Sequence, residues 1–219
     1  RLSIPLLTKS RSRLRSYQMI DLFETIRQEQ PRLPGWCSLE KALALASMVV
    51  ALRPAVTVEI GIYGGSSLIP MLLAHKLTAS GGLVYGIEPW SKEEAVKVQT
   101  CAADVEWWAA LDYERLHTDF QNAVDRLGLR DYLRLFVQPS RNVNPPANIG
   151  LLHVDGGHDA SAIQDVVRFA PQVVVGGLVV MDDLQWSGGA VTRAAQRLEQ
   201  LGFKMLYPLG TGAVYQKIR

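Results

Sequence analysis

Apolar positions recur along this chain with two different periods, and each change of period marks an element. From residue 149 the sequence reads IGLLHVDGGHDASAIQDVVRFAPQVVVGGLVVMDDLQW. Two short apolar runs, Ile149 to Val154 and Leu178 to Met181, bracket a segment in which Ala160, Ile163, Val166, Val167 and Ala170 recur at three- and four-residue spacing. The runs predict buried strands and the spacing predicts one face of a helix. Together they make one βαβ unit of a parallel sheet.

The same reading orders the rest of the chain. Residues 1–15 form a basic arm, and a helical pattern from Tyr17 to Gln30 is stopped by Pro31 and Pro34. Leu39 to Leu52 is apolar nearly all round and ends at Pro54, which predicts a helix buried against the sheet. Ala55 to Ile60 is a strand, followed by the glycine turn GIYGGSS and a helix from Leu68 to Thr78. A strand over Leu83–Ile87 precedes helices over Lys92–Ala110 and Asp112–Leu127, the second striped by Tyr113, Leu116, Phe120, Val124 and Leu127. Tyr132 to Val137 is a further strand. The chain closes with a helix striped by Val191, Ala194, Ala195, Leu198 and Leu201, then a hairpin of Phe203–Tyr207 and Ala213–Lys217. Five βα repeats and a hairpin predict an α/β, doubly wound, Rossmann-like sheet. Residues 1–34 are read as an arm and helix, and residues 35–219 as one domain. Within that domain, residues 91–127 are read as a helical insertion forming a lid over the acceptor site.

Composition narrows the class. Over 219 residues the chain is 48% apolar and 20% charged, ordinary for a globular protein, and its net charge of +2 does not point to nucleic acid. No apolar run approaches a membrane span, and no apolar core follows the basic start as a secretory signal requires. Two distant cysteines, Cys37 and Cys101, fit a reducing, cytoplasmic setting better than a disulfide framework. A homo-oligomer is compatible with all of this.

The chemistry gathers where the strands end. Asp155 follows the first strand of the central unit, and Asp182 and Asp183 follow the second. Ligands of open α/β sheets bind outside the carboxyl ends of strands, so these acids and His158 are expected at one site. The glycine turn after Ile60 places backbone N–H groups at a helix start, and Glu88 ends the next strand, where a carboxylate can hold both hydroxyls of a ribose. Tyr63 stands at the third position of that turn, where a dinucleotide fingerprint has glycine, and Glu59 sits inside the strand end, better suited to a positively charged cofactor than to a pyrophosphate. His153 is expected in the core, and His75 and His117 at the surface. Trp36, Trp90, Trp107, Trp108 and Trp186 flank the proposed site in sequence.

The segments VEIGIYGGSS, YGIEPW, LHVDGGHD and GGLVVMDD, in this order and spacing, resemble the cephalosporin hydroxylase-like group of class I methyltransferases, which includes metal-dependent sugar and macrolide O-methyltransferases. The resemblance covers residues 35–217. It implies a seven-stranded sheet with an antiparallel last strand, and S-adenosylmethionine (SAM) as cofactor. It places Glu59, Gly61, Tyr63, Gly65, Ser66 and Asp155 around the cofactor, Glu88 on its ribose, and Ser140 and Arg141 by the adenine. It further implies Mg²⁺ or another divalent ion on Asp155, Asp182 and Asp183, His158 as general base, and a sugar or natural-product glycoside hydroxyl as acceptor. The expected activity is thus SAM-dependent, metal-assisted O-methylation. An NAD(P)-dependent oxidoreductase and a non-catalytic binding protein on the same fold are the alternatives. A non-haem iron hydroxylase is excluded, because the H-x-D of His153–Asp155 lacks a distal histidine.

Overall fold

The computed structural model describes residues 19–79, 81–99 and 101–219. The predicted arm over residues 1–15 lies outside the described residues. Seven strands form one sheet: β1 (Val56–Ile60), β2 (Leu83–Ile87), β3 (Leu133–Phe136), β4 (Ile149–Val154), β5 (Val173–Met181), β6 (Phe203–Leu209) and β7 (Gly212–Lys217). Their order is β3-β2-β1-β4-β5-β7-β6. The first five are parallel, and β7 runs antiparallel to both of its neighbours.

Helices α1 (residues 19–29), α2 (Leu39–Leu52), α3 (Leu68–Thr78) and α6 (Tyr113–Arg126) cover one face, packing Leu22, Ile26, Leu45, Leu72, Phe120 and Val124 against Val84, Leu151 and Val180. Helices α7 (Ala160–Phe169) and α8 (Ala190–Gln200) cover the other, against Val58, Ile60, Leu152, Val154, Val179 and Met181. Because successive side chains alternate between faces, Glu59 and His153 point toward the α2 layer. They are also direct partners in the β1–β4 register.

Three differences from the pattern reading have physical causes. The helix expected over Lys92–Ala110 is two: α4 (Lys92–Lys97) and α5 (Ala102–Ala109), the second started by an extended Cys101 whose Sγ accepts from the Asp104 N–H. Only these two lie outside the core, with no buried residue in either; α6, which the lid reading included, buries Phe120, Ala123 and Val124 as an ordinary crossover helix. The expected stripe on α7 holds in part: Val166 and Ala170 are buried and Ile163 packs on the core, whereas Ala160 and Val167 are exposed. Ala162, Asp165 and Phe169 complete the buried face instead. Residues 19–34 also belong to the main core: Gln30 Nε2 donates to the carbonyls of Cys37 and Ser66, and Arg126 forks onto Glu29.

Candidate functional site

Every parallel strand near the centre continues its ladder one bond past its end. The Gly61 N–H donates to the Ile87 carbonyl, Glu88 to Phe136, Asp155 to Ile60 and Asp182 to Val154. Glu88, Gly61, Asp155 and Asp182 therefore stand level along one carboxyl edge, where the α/β rule places ligands.

On the first half of this edge Glu88 is half-buried, and its carboxylate accepts three backbone N–H groups: Ile62 and Tyr63 on Oε2 at 3.0 and 3.1 Å, Trp90 on Oε1 at 3.1 Å. The acid thus folds the glycine turn around itself. Tyr63 is left-handed there (φ 51°), and Gly61 (φ 88°) packs so closely on the Asp155 carbonyl that no Cβ fits. Gly65 (φ 90°) lies against the Phe120 ring, and Ser66 is buried beneath Gly35. A carboxylate oxygen has two acceptor sites, so Glu88 keeps capacity for a diol; the turn and its acid fit a nucleoside.

Sequence proximity misplaced several side chains. Trp90 is not in the mouth of the site. It is buried, donates from Nε1 to the Tyr63 carbonyl at 2.8 Å and stacks on His117. His117 is therefore a packing residue, as is His75, which is buried and bonded to Thr57 Oγ1 at 2.9 Å. Trp36, Trp107 and Trp108 do gather, with Tyr63, in an aromatic cluster over the turn. Arg141 is bound through both terminal nitrogens by Glu94 at 2.7 and 2.9 Å, which clips α4 to the loop after β3 and holds the Glu94 carboxyl down to about 2. Ser140 gives its carbonyl to Arg168.

On the second half His158 Nε2 lies 3.0 Å from Asp183 Oδ2, and the ring stacks on Trp186 at 4.1 Å. The His158 contact holds the Asp183 carboxyl below its usual range. Beside this pair are Asp155 and the buried Asp182, whose Oδ1 accepts from Thr211 Oγ1 at 2.8 Å and from the Asp183 N–H at 3.0 Å.

Asp182 Oδ2 is in contact with Lys41 Nζ, and Asp155 Oδ2 lies 3.8 Å from the same ammonium. Lys41 comes from the first turn of α2 and is 5% exposed. The apolar pattern of residues 39–52 gave it no role. Its signal was present: a lysine turned inward on a helix that is otherwise apolar on that side needs a buried partner.

Lys41 decides the fit of a divalent ion. Atoms of His153, Asp155 and Asp182 lie within 4.8 Å of one another, and His153 Nε2 is buried without a hydrogen-bond partner. Mg²⁺, however, requires free oxygens at about 2.1 Å in octahedral array. Asp182 has both oxygens engaged, Asp183 is committed to His158, and the ammonium already stands between Asp155 and Asp182. Unit charges 4 Å apart repel by roughly 4 kcal/mol at an effective dielectric near 20, and a divalent ion doubles this. The set Asp155, Asp182 and Asp183 does not fit Mg²⁺ while Lys41 holds this position.

Behind the edge, His153 Nδ1 lies 2.6 Å from Glu59 Oε1, with both side chains fully buried. His153 is a core residue, as expected. Burial pushes the Glu59 carboxyl up to about 8 and His153 down to about 3. The unfolded chain releases the Glu59 proton in the ordinary carboxylate range and the folded chain only near 8. The folded state thus holds the extra proton between these values, and its stability falls as pH rises through that window. Glu59→Gln keeps the shape of the protonated acid, so its melting temperature should rise increasingly above wild type from about pH 5 to 8 and hold a constant lead beyond. Thermal melts across that range check this; a pH-independent difference would exclude a protonated Glu59.

A family profile described as a methyltransferase domain matches residues 58–184, so the chain belongs to this family and is a class I methyltransferase. A search of curated proteins found no match. Similar solved structures include a methyltransferase of Podospora anserina bound to S-adenosylhomocysteine (SAH), at 13% identity, TM-score 0.62, covering 100% of this chain and 99% of that one. The O-methyltransferase NovP matches at 18% and 0.63 over 84% of each chain. An O-methyltransferase of Bacillus cereus with SAH matches at 14% and 0.59 over 91% of each. Membership sets aside the dinucleotide oxidoreductase. No helix among the described residues is long and apolar enough to cross a membrane.

Proposed function

We propose that this enzyme transfers a methyl group from SAM to a hydroxyl of a small molecule, a sugar or natural-product glycoside, and that His158 is its general base. The carrying observation is the shared edge: Glu88 with its glycine turn stands level with Asp155 and Asp182, next to which Asp183 meets His158. The names of the similar structures, two of them O-methyltransferases, support oxygen as the acceptor atom.

When bound, SAM supplies an electrophilic methyl on a sulfonium centre. Glu88 would accept from the ribose hydroxyls, and the Gly61–Ser66 turn, with Glu59 behind it, would hold the methionine portion. Ser140 and Arg141 would border the adenine side, where Glu94 clips α4 to the loop after β3. Asp183, 3.0 Å from Nε2, is the carboxylate that would keep the ring proton on that nitrogen and leave the Nδ1 lone pair to take the acceptor hydroxyl's proton. Asp155 and Asp182 keep the edge negative, which favours both the sulfonium and the imidazolium formed on proton transfer. Trp36, Trp107, Trp108 and Tyr63 offer ring faces for a cyclic acceptor. Helices α4 and α5, lying outside the core, act as the lid. The free cysteines Cys37 and Cys101 support a cytoplasmic setting.

Calorimetry tests the cofactor first. Wild type should bind SAH with one site per chain in the micromolar range (about −8 kcal/mol), with and without chelator. Binding would open an acceptor screen over sugars and glycosides, read as SAH release. No binding in either condition would end the SAM reading.

A further inference from the structure

We infer that Lys41 is the resident cation of the carboxylate cluster and takes the place of a divalent metal, so that this enzyme neither binds nor needs one. The inference rests on the methyltransferase reading only for what the enzyme does not need; what it does not bind is a property of the folded chain alone.

Four observations carry it. Lys41 Nζ touches Asp182 Oδ2 and lies 3.8 Å from Asp155 Oδ2, so one ammonium spans the two strand ends, β4 and β5, that a bridging ion would have to join. The lysine is held away from water: its side chain is 6% exposed and its Cα lies in α2, whose Ala42, Leu45, Ala46 and Val49 are buried in the core. Asp182 is held from the other side by Thr211 Oγ1 and the Asp183 N–H on Oδ1, while its Oδ2 meets Lys41 in close contact and His153 Nε2 at 3.9 Å. Asp183, the third expected ligand, is turned to His158. Three acids meeting at a sheet edge need positive charge, and here the chain supplies it from its own helix.

A lysine in this role differs from a metal in one chemical respect. It is a hydrogen-bond donor with no open coordination position, so it orients Asp155 and Asp182 without binding the acceptor oxygen. Lys41 is thus a positioning residue, and removal of the hydroxyl proton falls to His158 alone.

The test is a Mn²⁺ titration followed by electron paramagnetic resonance, on the full chain without cofactor. Wild type should leave the free-ion signal unchanged up to about 1 mM, weaker than functional carboxylate sites. Lys41→Met, which keeps an unbranched side chain and removes the charge, should gain one saturable site at least about ten-fold tighter. Lys41→Gln serves if the Met variant fails to fold, with melting curves reporting the fold of each. A saturable wild-type site abolished by Asp182→Asn would overturn the inference. So would a folded variant that gains no site, because Lys41 would then not be what excludes the ion. Wild-type turnover unchanged by chelator is the third expected result, and turnover lost to chelator and restored by Mg²⁺ would overturn it. Failure of the SAM reading shows separately, as absent SAH binding, and leaves the titration interpretable.

Discussion

Glu88→Ala should lower affinity for SAH by at least about 100-fold. Two effects add in the same direction. The ribose hydroxyls lose a charged acceptor, and hydrogen bonds to charged groups contribute roughly 1.5–3 kcal/mol each. The N–H groups of Ile62, Tyr63 and Trp90 lose their common acceptor too, so the turn that carries the cofactor loses its shape. Glu88→Gln separates the two effects. It keeps the volume and one acceptor oxygen, yet sets an NH₂ group against backbone donors, so it should bind SAH at an intermediate level. Calorimetry on both variants, with melting curves to show that each folds, makes the comparison. Wild-type affinity in Glu88→Ala would move the cofactor off this strand end.

How much of this was legible follows from which side chains carry their own signal. The strands, the glycine turn and the C-terminal hairpin were readable because backbone constraint is written in residue type: β-branched runs, glycines at positive φ, and an acid just past a strand. Asp155, Asp182, Asp183 and His158 were readable as neighbours because strand ends of a parallel sheet meet at one edge. Their partners were not. Lys41 lies more than a hundred residues from Asp155 and Asp182, and only the packing of α2 on the sheet brings them together. Thr211, in the β6–β7 turn, reaches Asp182 for the same reason. The α7 stripe held at Ile163, Val166 and Ala170 and missed the rest of the face through chemistry rather than distance. Asp165 is buried, and a polar residue on a core face breaks the apolar period that identifies the face. Burial pushes its carboxyl up to about 6, and the Ser140 hydroxyl binds it, so the helix is anchored to the loop after β3 by a residue that pattern reading assigns to solvent. Trp90 failed for the converse reason: a residue type common in sites here fastens the turn to α6, through its Tyr63 bond and its stack on His117, which was expected at the surface.

His158→Ala should lower kcat by about 10²–10⁴-fold, the usual contribution of a positioned base, while SAH affinity stays within about two-fold of wild type because the ring is not placed on the cofactor. Packing alone could produce a rate loss, since the ring stacks on Trp186, so the informative variant is Asp183→Asn. In the proposed arrangement the Asp183 carboxylate, 3.0 Å from Nε2, keeps the ring proton there and the lone pair on Nδ1. An Asn amide can donate to Nε2 instead, which moves the ring proton to Nδ1 and removes the base without removing the ring. Asp183→Asn should therefore lose at least about 10²-fold in kcat. The double variant should be no slower than His158→Ala alone, because both changes disable one unit. Losses that multiply in the double variant would assign proton removal to another group on the edge. Asp155 is next in line there: burial raises its carboxyl pKa, and of the three acids it is the one not paired with His158 that lies farther from Lys41, at 3.8 Å.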